Sequence, residues 1–348
     1  MPGPDAAAAM PLRQLNRGDL KLSALGFGAA PLGNLYQPVA EADARATLEA
    51  ALEMGATYVD TAPYYGFGLS ERRVGDVLRE RQGWTLSSKV GRLLRPLPAP
   101  SGDAERHGFR SPMPFEPLYD YTYDGVLRSY EDSLQRLGLT RIDILYVHDI
   151  GALTHGDRHA ETFHQLTAGG GFRALEDLRA SRAITAFGLG VNECEVCLQA
   201  IEHVDLDVIL LAGRYTLLEQ GALDDLLPQC ARRGISIVIG GPFNSGILAT
   251  GAKAGGPIRY DYAPAPASVI QRVARIEAIC EAHGAPLAAA ALQFPLAHPS
   301  VVSVIPGMDR PARVREAVDL YHTPIPADVW DELRQQGLIR PDAPVPAP

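Results

Sequence analysis

The chain has 348 residues, 46% hydrophobic and 21% charged, which is enough apolar mass for the core of an ordinary globular protein. Its net charge of -9 argues against a nucleic-acid or anionic-membrane surface, because both need clustered Lys and Arg. No window approaches 18 uninterrupted apolar residues, and the amino terminus has no signal-peptide pattern. We therefore expect a cytoplasmic protein that binds neither nucleic acid nor membrane.

Strand and helix patterns alternate along the chain. Apolar or β-branched runs predict eight strands, at residues 24–28, 57–60, 85–89, 142–148, 184–189, 208–211, 236–240 and 301–305. Amphipathic segments predict helices between them, at residues 41–54, 71–80, 123–137, 172–183, 193–203, 222–233, 269–283 and 311–320. Eight such βα units predict an α/β fold, a closed (β/α)8 TIM barrel. A doubly wound sheet would need G-x-G-x-x-G after the first strand, and that motif is missing.

The predicted barrel is flanked by short terminal segments. We expect a tail and lead-in at residues 1–20, a catalytic barrel domain at 21–325, and a carboxyl-terminal segment with a disordered Pro-rich tail at 326–348. An extra helix is predicted at 286–298. Long connections follow three strands and predict lids and specificity walls, at residues 91–122, 149–171 and 241–267.

Three predicted strands end in ionisable residues. Asp60 ends the second strand, Lys89 the third and His148 the fourth, while Tyr65 lies five residues beyond Asp60. A carboxylate at the end of one strand is more often a capping group than a catalyst. In a parallel barrel, however, residues at the carboxyl ends of the strands converge on one site.

The chemistry of this set centres on the tyrosine. A phenol has a pKa near ~10, and a neighbouring ammonium lowers it, so we expect Lys89 to lower the pKa of Tyr65. Asp60 would keep Lys89 charged, and His148 would orient a substrate oxygen. Such a site needs no metal and suits proton transfer coupled to hydride transfer with a cofactor.

The same residues carry a resemblance to a known family. The matching features are the D-T-A-P-Y-Y-G run at residues 60–66, Lys89, His148, Asn192 and the I-P-G turn at 305–307. With these features the chain resembles the aldo-keto reductases over nearly its whole length. The resemblance implies a catalytic tetrad in which Tyr65 is the general acid in reduction or the general base in oxidation. Its members are Asp60, Tyr65, Lys89 and His148.

Three further segments narrow the resemblance, at residues 148–151, 211–218 and 240–246. They are similar to a sugar-oxidising branch, the L-fucose and D-threo-aldose 1-dehydrogenases, with the pyridoxal 4-dehydrogenases close by. This similarity implies NAD(P)-dependent oxidation of the C1 hemiacetal hydroxyl of an aldose to a lactone, with Tyr65 as base. The alternatives are oxidation of pyridoxal to 4-pyridoxolactone, general aldehyde or ketone reduction, and a cofactor-sensing regulatory subunit. The sequence leaves the oligomeric state open.

The resemblance also implies a set of cofactor contacts. They are Asn192, Tyr215, Gly241, Phe243, Asn244, Gly246, Gly307, Asp309, Arg310 and Arg313. We expect backbone amides around 243–246 to bind the phosphates. Ala212 stands where many relatives have a glutamine that holds the nicotinamide, and Gly240 stands where many have an aromatic that stacks on it. Asp309 would repel a 2′-phosphate, whereas the two arginines would attract one, and we expect NAD to be preferred over NADP.

Three other interpretations of single motifs are weaker. Lys89 could form a Schiff base, but that leaves the spacing of Asp60 and Tyr65 unexplained. A metal could bind among loop residues without regular ligand spacing, namely Asp149, His155, Asp157 and His159. Cys194 and Cys197 form a C-x-x-C, which we interpret as two helix residues rather than a redox pair or half a zinc site.

Overall fold

A computed structural model describes residues 9–98, 105–253, 255 and 258–347. All eight predicted strands are present and form one parallel sheet. Their bounds are β1 (Phe27–Gly28), β2 (Tyr58–Asp60), β3 (Thr85–Val90), β4 (Ile144–His148), β5 (Ala186–Val191), β6 (Val208–Ala212), β7 (Ser236–Gly240) and β8 (Val301–Ile305). The spatial order of the strands follows the chain order from β1 to β8.

Parallel bridges join the two edges of this sheet. Leu25 pairs with Val304, and Gly28 pairs with Gly307, so β1 meets β8 and the barrel closes. The predicted TIM barrel is therefore confirmed. The register sets Asp60 beside Ser87 and His148 beside Gly190, which places the ends of neighbouring strands at similar heights.

Helices cover the outside of the barrel. Their bounds are α1 (Glu41–Glu53), α2 (Leu69–Leu78), α3 (Tyr123–Leu137), α4 (Ala152–His155), α5 (His159–Leu166), α6 (Gly171–Ala180), α7 (Glu195–Ala200), α8 (Leu226–Arg233), α9 (Ile247–Thr250), α10 (Ala267–Ala282), α11 (Leu287–Gln293), α12 (Pro311–His322) and α13 (Ala327–Gln335). The bounds of α3 match the prediction, because Thr122 caps its first turn and Gly138 ends it in the left-handed conformation. The extra helix predicted at 286–298 is present as α11, followed by a 3-10 turn at Phe294–Ala297.

The predicted start of the helix at residue 222 is wrong. Residues Gly221–Leu223 form a 3-10 turn, and α8 begins only at Leu226. Pro228 has no amide hydrogen and is tolerated only in the first turn of a helix, so α8 cannot extend far ahead of it.

The hydrophobic core has two layers. The larger layer lies between the strands and the helices, while a smaller one fills the barrel interior. Tyr58 and Tyr146 belong to the inner layer, where their hydroxyls hydrogen-bond to each other at 3.0 Å. Leu15 and Leu22 also belong to it, at the amino-terminal hairpin of strands Leu12–Gln14 and Lys21–Ser23. This hairpin closes the interior at one end, so a ligand can enter only from the other.

The carboxyl-terminal segment packs onto the barrel. Val329, Trp330 and Leu333 of α13 are buried in the outer core layer. Ala343 is buried as well, and its carbonyl accepts a hydrogen bond from Arg334. The prediction of a disordered tail is therefore wrong at this position, while residues 1–8 of the predicted amino-terminal tail lie outside the described residues. Within the described ranges no helix is long and apolar enough to cross a membrane.

Close packing of β5 against β6 generates a first testable prediction. A Cβ at Gly188 would lie 1.5 Å from the carbonyl oxygen of Val208, so the backbone of two paired strands would have to separate. Overpacking on this scale destabilises by about 3 kcal/mol or more. We expect Gly188→Ala to lower the free energy of unfolding by at least that amount in urea titrations. Gly221→Ala is the control, because nothing lies within 4 Å of its added Cβ. Equal stability of the two variants would contradict this packing.

Candidate active site

A cavity of about 620 Å³ opens at the carboxyl end of the barrel. Tyr65, Lys89 and His148 line it, and Asn192 lies in the same wall after β5. The predicted long loops form its sides, where each contributes a hairpin or a short helix that the sequence analysis did not anticipate. These elements are Arg92–Pro96 paired with Phe115–Tyr119, Glu105–Arg106 paired with Phe109–Arg110, Arg259–Tyr260 paired with Ala263–Pro264, and α4.

A buried ion pair lies beneath the cavity. Lys89 Nζ donates to Asp60 Oδ2 at 2.6 Å and to the carbonyl of Thr61 at 3.0 Å. Asp60 Oδ1 accepts from the hydroxyl of Ser87 at 2.7 Å. Burial raises the pKa of Asp60, while the charge of Lys89 and these hydrogen bonds oppose the shift. The geometry makes Asp60 the anchor of the lysine, as the sequence suggested, and leaves the lysine no freedom to act as a neutral nucleophile.

Tyr65 lies partly exposed on the cavity wall. Lys89 Nζ is 4.7 Å from the centroid of its ring, and the ring also contacts His148 edge-on. Burial raises the pKa of Tyr65 well above its ordinary value, and the carboxylates of Asp60 and Asp149 raise it further. The expected lowering by Lys89 is therefore wrong for the protein alone, because the ammonium faces Asp60 and the desolvation of the phenolate dominates.

His148 is neutral in this environment. Burial lowers its pKa well below the ordinary value, and the positive charges of Arg92 and Lys89 lower it further. Its Nδ1 is buried and has no hydrogen-bond partner within the described part of the chain. This leaves Nε2 as the nitrogen that can donate a hydrogen bond to a ligand oxygen.

The sequence analysis missed a second ion pair in the wall. The guanidinium of Arg92 donates to Asp149 Oδ2 and lies over the ring of Tyr64, 4.0 Å from its centroid. Gly91 turns the chain back toward the cavity with a φ of +96°, and a Cβ there would lie 2.1 Å from the ring of Tyr121. An arginine close behind Lys89 and an aspartate directly after His148 were the available signals.

Aromatic rings line part of the cavity. Tyr64 contacts Phe109 and His107 at centroid distances of 5.5 and 6.1 Å, and Tyr65 lies 6.4 Å from Phe109. Because aromatic rings and the polar Arg92–Asp149 pair line the same cavity, it suits a ligand with both apolar surface and oxygens.

The predicted cofactor residues occupy different environments. Asn192 lines the cavity, and so do the aliphatic side chains of Leu210 and Ala212. Tyr215 is fully buried in the core against Phe294 and His298, a position that gives it no surface for a cofactor. The sequence could not predict this position of Tyr215, because an aromatic residue after a strand is equally common in a core and in a binding site.

The turn after β7 is tightly hydrogen-bonded. The amide of Asn244 donates to the carbonyl of Gly241, and the amide of Gly246 donates to that of Phe243. The Asn244 side chain accepts from Thr216 and donates to the carbonyl of Gly213, which joins the loops after β6 and β7. In this conformation the amides of Asn244 and Gly246 are engaged within the turn. The expectation that backbone amides around 243–246 bind the phosphates stays a prediction.

The loop after β8 holds the remaining predicted contacts. Gly307 pairs with Gly28 where the barrel closes. Asp309 accepts from the Gln37 amide at 2.6 Å and from Arg310 at 3.1 Å. Arg313 donates to Glu316 at 2.7 Å. The Asp309 carboxylate therefore lies beside α12 together with Arg310 and Arg313, whose charges are partly neutralised by these pairings.

Neither the metal site nor the thiol pair has support in the geometry. Within the described ranges no group of three or more His, Cys, Asp or Glu could hold a metal ion. His155 contacts the Tyr121 hydroxyl, and His159 contacts Gln199 and a backbone carbonyl. Cys194 and Cys197 are free, at the start of α7, as the helix interpretation predicted.

The barrel and its cavity define the class of protein. It is a barrel enzyme whose ionisable side chains lie at the carboxyl ends of the strands. Comparison with known proteins narrows it. Residues 24–337 match the Aldo/keto reductase family. The chain is 49% identical to the pyridoxal 4-dehydrogenase of Microbacterium luteolum, covering 94% of this chain and 97% of that one. It is 42% identical to the D-threo-aldose 1-dehydrogenase of a Pseudomonas species, covering 92% and 95%.

Structure comparison agrees. The holo form of an aldo-keto reductase from Bacillus halodurans matches with a TM-score of 0.69 at 26% identity, covering 95% of this chain and 97% of that one. The chain belongs to the aldo/keto reductase family. It is an NAD(P)-dependent oxidoreductase, and the family resemblance inferred from the sequence is confirmed.

The pKa shifts generate a second prediction. If Tyr65 must be deprotonated to accept a proton, its raised pKa makes the active fraction grow with pH. We expect kcat/KM for oxidation to rise continuously from pH 6 to 10, without an inflection near 6.5 because His148 stays neutral. A plateau below pH 8 would contradict this. The measurement is a pH profile of initial rates at saturating dinucleotide.

Proposed function

We propose that this protein oxidises the C1 hemiacetal hydroxyl of an aldose to a lactone, with Tyr65 as the general base. The observation that carries the proposal is that Tyr65 and His148 share one cavity wall above a lysine locked onto Asp60. The D-threo-aldose 1-dehydrogenase relative, which is 42% identical, supports this substrate class.

The roles of the residues follow from their environments. His148 Nε2–H donates to the reacting oxygen and orients it, because the imidazole is neutral. Tyr65 accepts the hydroxyl proton as a phenolate, and the positive charges of Lys89 and Arg92 stabilise that phenolate before the transfer. Asp60 holds Lys89 charged and fixed. When bound, NAD(P) supplies the acceptor for the hydride that leaves C1.

The residues beyond the tetrad fit a dinucleotide. Asn192 can hydrogen-bond a carboxamide, and the aliphatic side chains of Leu210 and Ala212 can contact a planar ring. A Cβ at Gly240 would lie 3.0 Å from Leu210 and 3.3 Å from Ala212. These two side chains are our candidates for the nicotinamide contact that an aromatic residue makes in many relatives.

Pyridoxal is the second candidate substrate. The pyridoxal 4-dehydrogenase relative is 49% identical, and the rings of Tyr64, Phe109 and Tyr119 suit a flat aromatic ligand. Pyridoxal forms a cyclic hemiacetal, so the same residues would produce 4-pyridoxolactone.

Replacement of the tyrosine tests the proposed base. The wild type and Tyr65→Phe are assayed on L-fucose, D-arabinose, L-galactose, D-galactose and pyridoxal with each dinucleotide, followed by NAD(P)H absorbance. We expect kcat to fall by at least ~10²-fold in Tyr65→Phe, because the proton has no acceptor, while dinucleotide affinity stays within about threefold. The lactone is identified in the product by NMR.

The same assay separates the enzyme from the regulatory alternative. A cofactor-sensing subunit would bind dinucleotide but show no turnover that depends on Tyr65. Equal turnover of the hemiacetals by the wild type and Tyr65→Phe would contradict the proposed mechanism.

Cofactor choice gives a further prediction. We propose that NAD is preferred, because the Asp309 carboxylate can accept from a ribose hydroxyl and repels a 2′-phosphate. The expected result is a higher kcat/KM with NAD than with NADP. In Asp309→Asn the ratio of these two kcat/KM values should fall roughly tenfold. Asp319→Asn on the exposed side of α12 is the matched control and should keep the ratio. A wild-type preference for NADP would overturn the assignment.

A further inference from the structure

The ion pair of Arg92 and Asp149 has no role in the tetrad described above, although it borders the same cavity. The Arg92 side chain is 4% exposed and the Asp149 side chain 23% exposed. Both side chains line the cavity, and the Asp149 carboxylate is the more exposed member of the pair.

Several contacts fix this carboxylate in place. The Arg92 guanidinium lies between the rings of Tyr64 and Tyr119, 4.0 and 5.4 Å from their centroids. Asp149 has a φ of 44°, a conformation that a non-glycine residue adopts at a cost, and its amide donates to the carbonyl of Gly190 at 2.9 Å. The strained backbone of Asp149 and the fixed position of Arg92 hold the carboxylate in one orientation.

That direction brings it close to the reacting oxygen. Asp149 Oδ2 is 3.5 Å from Nε2 of His148, the nitrogen available to a ligand. The oxygens on adjacent carbons of a sugar ring are separated by about one hydrogen-bond length. A sugar whose C1 oxygen contacts His148 can therefore place its C2 oxygen within hydrogen-bond reach of the Asp149 carboxylate.

We propose that Asp149 selects the substrate by accepting a hydrogen bond from the hydroxyl on the carbon next to the reacting hemiacetal carbon, the C2 hydroxyl of an aldose. Arg92 is a positioning residue that holds the carboxylate. The inference rests on the proposed hemiacetal oxidation. An ionised carboxylate only accepts hydrogen bonds, so it matches a hydroxyl. The atom next to the reacting carbon of pyridoxal is an aromatic carbon without a hydroxyl.

Other charged groups on the cavity wall fit this role less well. Glu105 and Arg110 pair with each other at 3.0 Å, and both side chains are 48% exposed. A pair so open to water gives a weak and poorly directed contact. Asp149 is the carboxylate with a buried partner and a fixed geometry next to His148.

The test compares each aldose with its 2-deoxy analogue. The wild type, Asp149→Ala and Asp149→Asn are assayed on the aldose with the highest kcat/KM and on that analogue. We expect the wild type to favour the 2-hydroxyl compound by roughly 10- to 100-fold, and this ratio to fall to within about threefold in Asp149→Ala. Glu116→Gln removes a carboxylate from an arginine pair on the same hairpin but outside the cavity, and should keep the ratio.

Arg92 is tested by conservative rescue. In Arg92→Met the preference for the aldose over its 2-deoxy analogue should disappear. Arg92→Lys should retain part of this preference, because an ammonium still attracts the carboxylate. Dinucleotide binding, measured by fluorescence quenching, shows that each variant is folded. A general structural role of Arg92 would lower turnover of both sugars alike and leave the ratio unchanged.

Failures of the two proposals are distinguishable. If the wild type oxidises no hemiacetal, the proposed function is wrong. If it oxidises pyridoxal and no aldose, the proposed aldose substrate and the role of Asp149 are both overturned. If it oxidises an aldose and its 2-deoxy analogue equally well, the proposed function stands and only the role of Asp149 is overturned. A ratio that survives in Asp149→Ala also overturns it, whereas Asp149→Asn should keep part of the ratio because its amide oxygen still accepts a hydrogen bond.

Discussion

The site depends on one buried ion pair, Lys89 with Asp60. Two charges that are almost fully buried are stable only if every polar atom is satisfied, and here Ser87 and the Thr61 carbonyl complete the set. Removing one partner from such a pair destabilises by about 3–5 kcal/mol. The pair therefore fixes the ends of β2 and β3 against each other. It also holds the Lys89 side chain in one position beside Tyr65.

The barrel explains why so few residues suffice. Neighbouring parallel strands end at one rim, so single residues at the ends of β2, β3 and β4 meet without any special loop. The loops then add selectivity around this fixed centre, since Gly91 returns the chain toward the cavity and places Arg92 beside Asp149. The chemistry resides on the strand ends and on the loop after β2, which carries Tyr65, whereas discrimination between substrates resides on the loop after β3 and the residue after β4.

Much of this could be predicted from the sequence. The ends of the strands can be located in the sequence, because apolar runs stop at Asp60, Lys89 and His148. Loop geometry does not, since a positive φ at Gly91 and the hydrogen bonds of the turn at 241–246 depend on contacts with distant segments. The pKa of Tyr65 was predicted in the wrong direction, because the sequence shows a neighbouring lysine but not the burial that outweighs its charge.

The central claim is that Tyr65 takes the proton of the C1 hydroxyl while C1 of the same hemiacetal gives up its hydride to a bound dinucleotide. The most direct measurement uses an aldose deuterated at C1, with the products analysed by NMR and mass spectrometry. The account predicts that deuterium appears on the nicotinamide of the reduced dinucleotide and that the sugar product is the unlabelled lactone. Deuterium retained in the sugar product, or oxidation at another carbon, would contradict it.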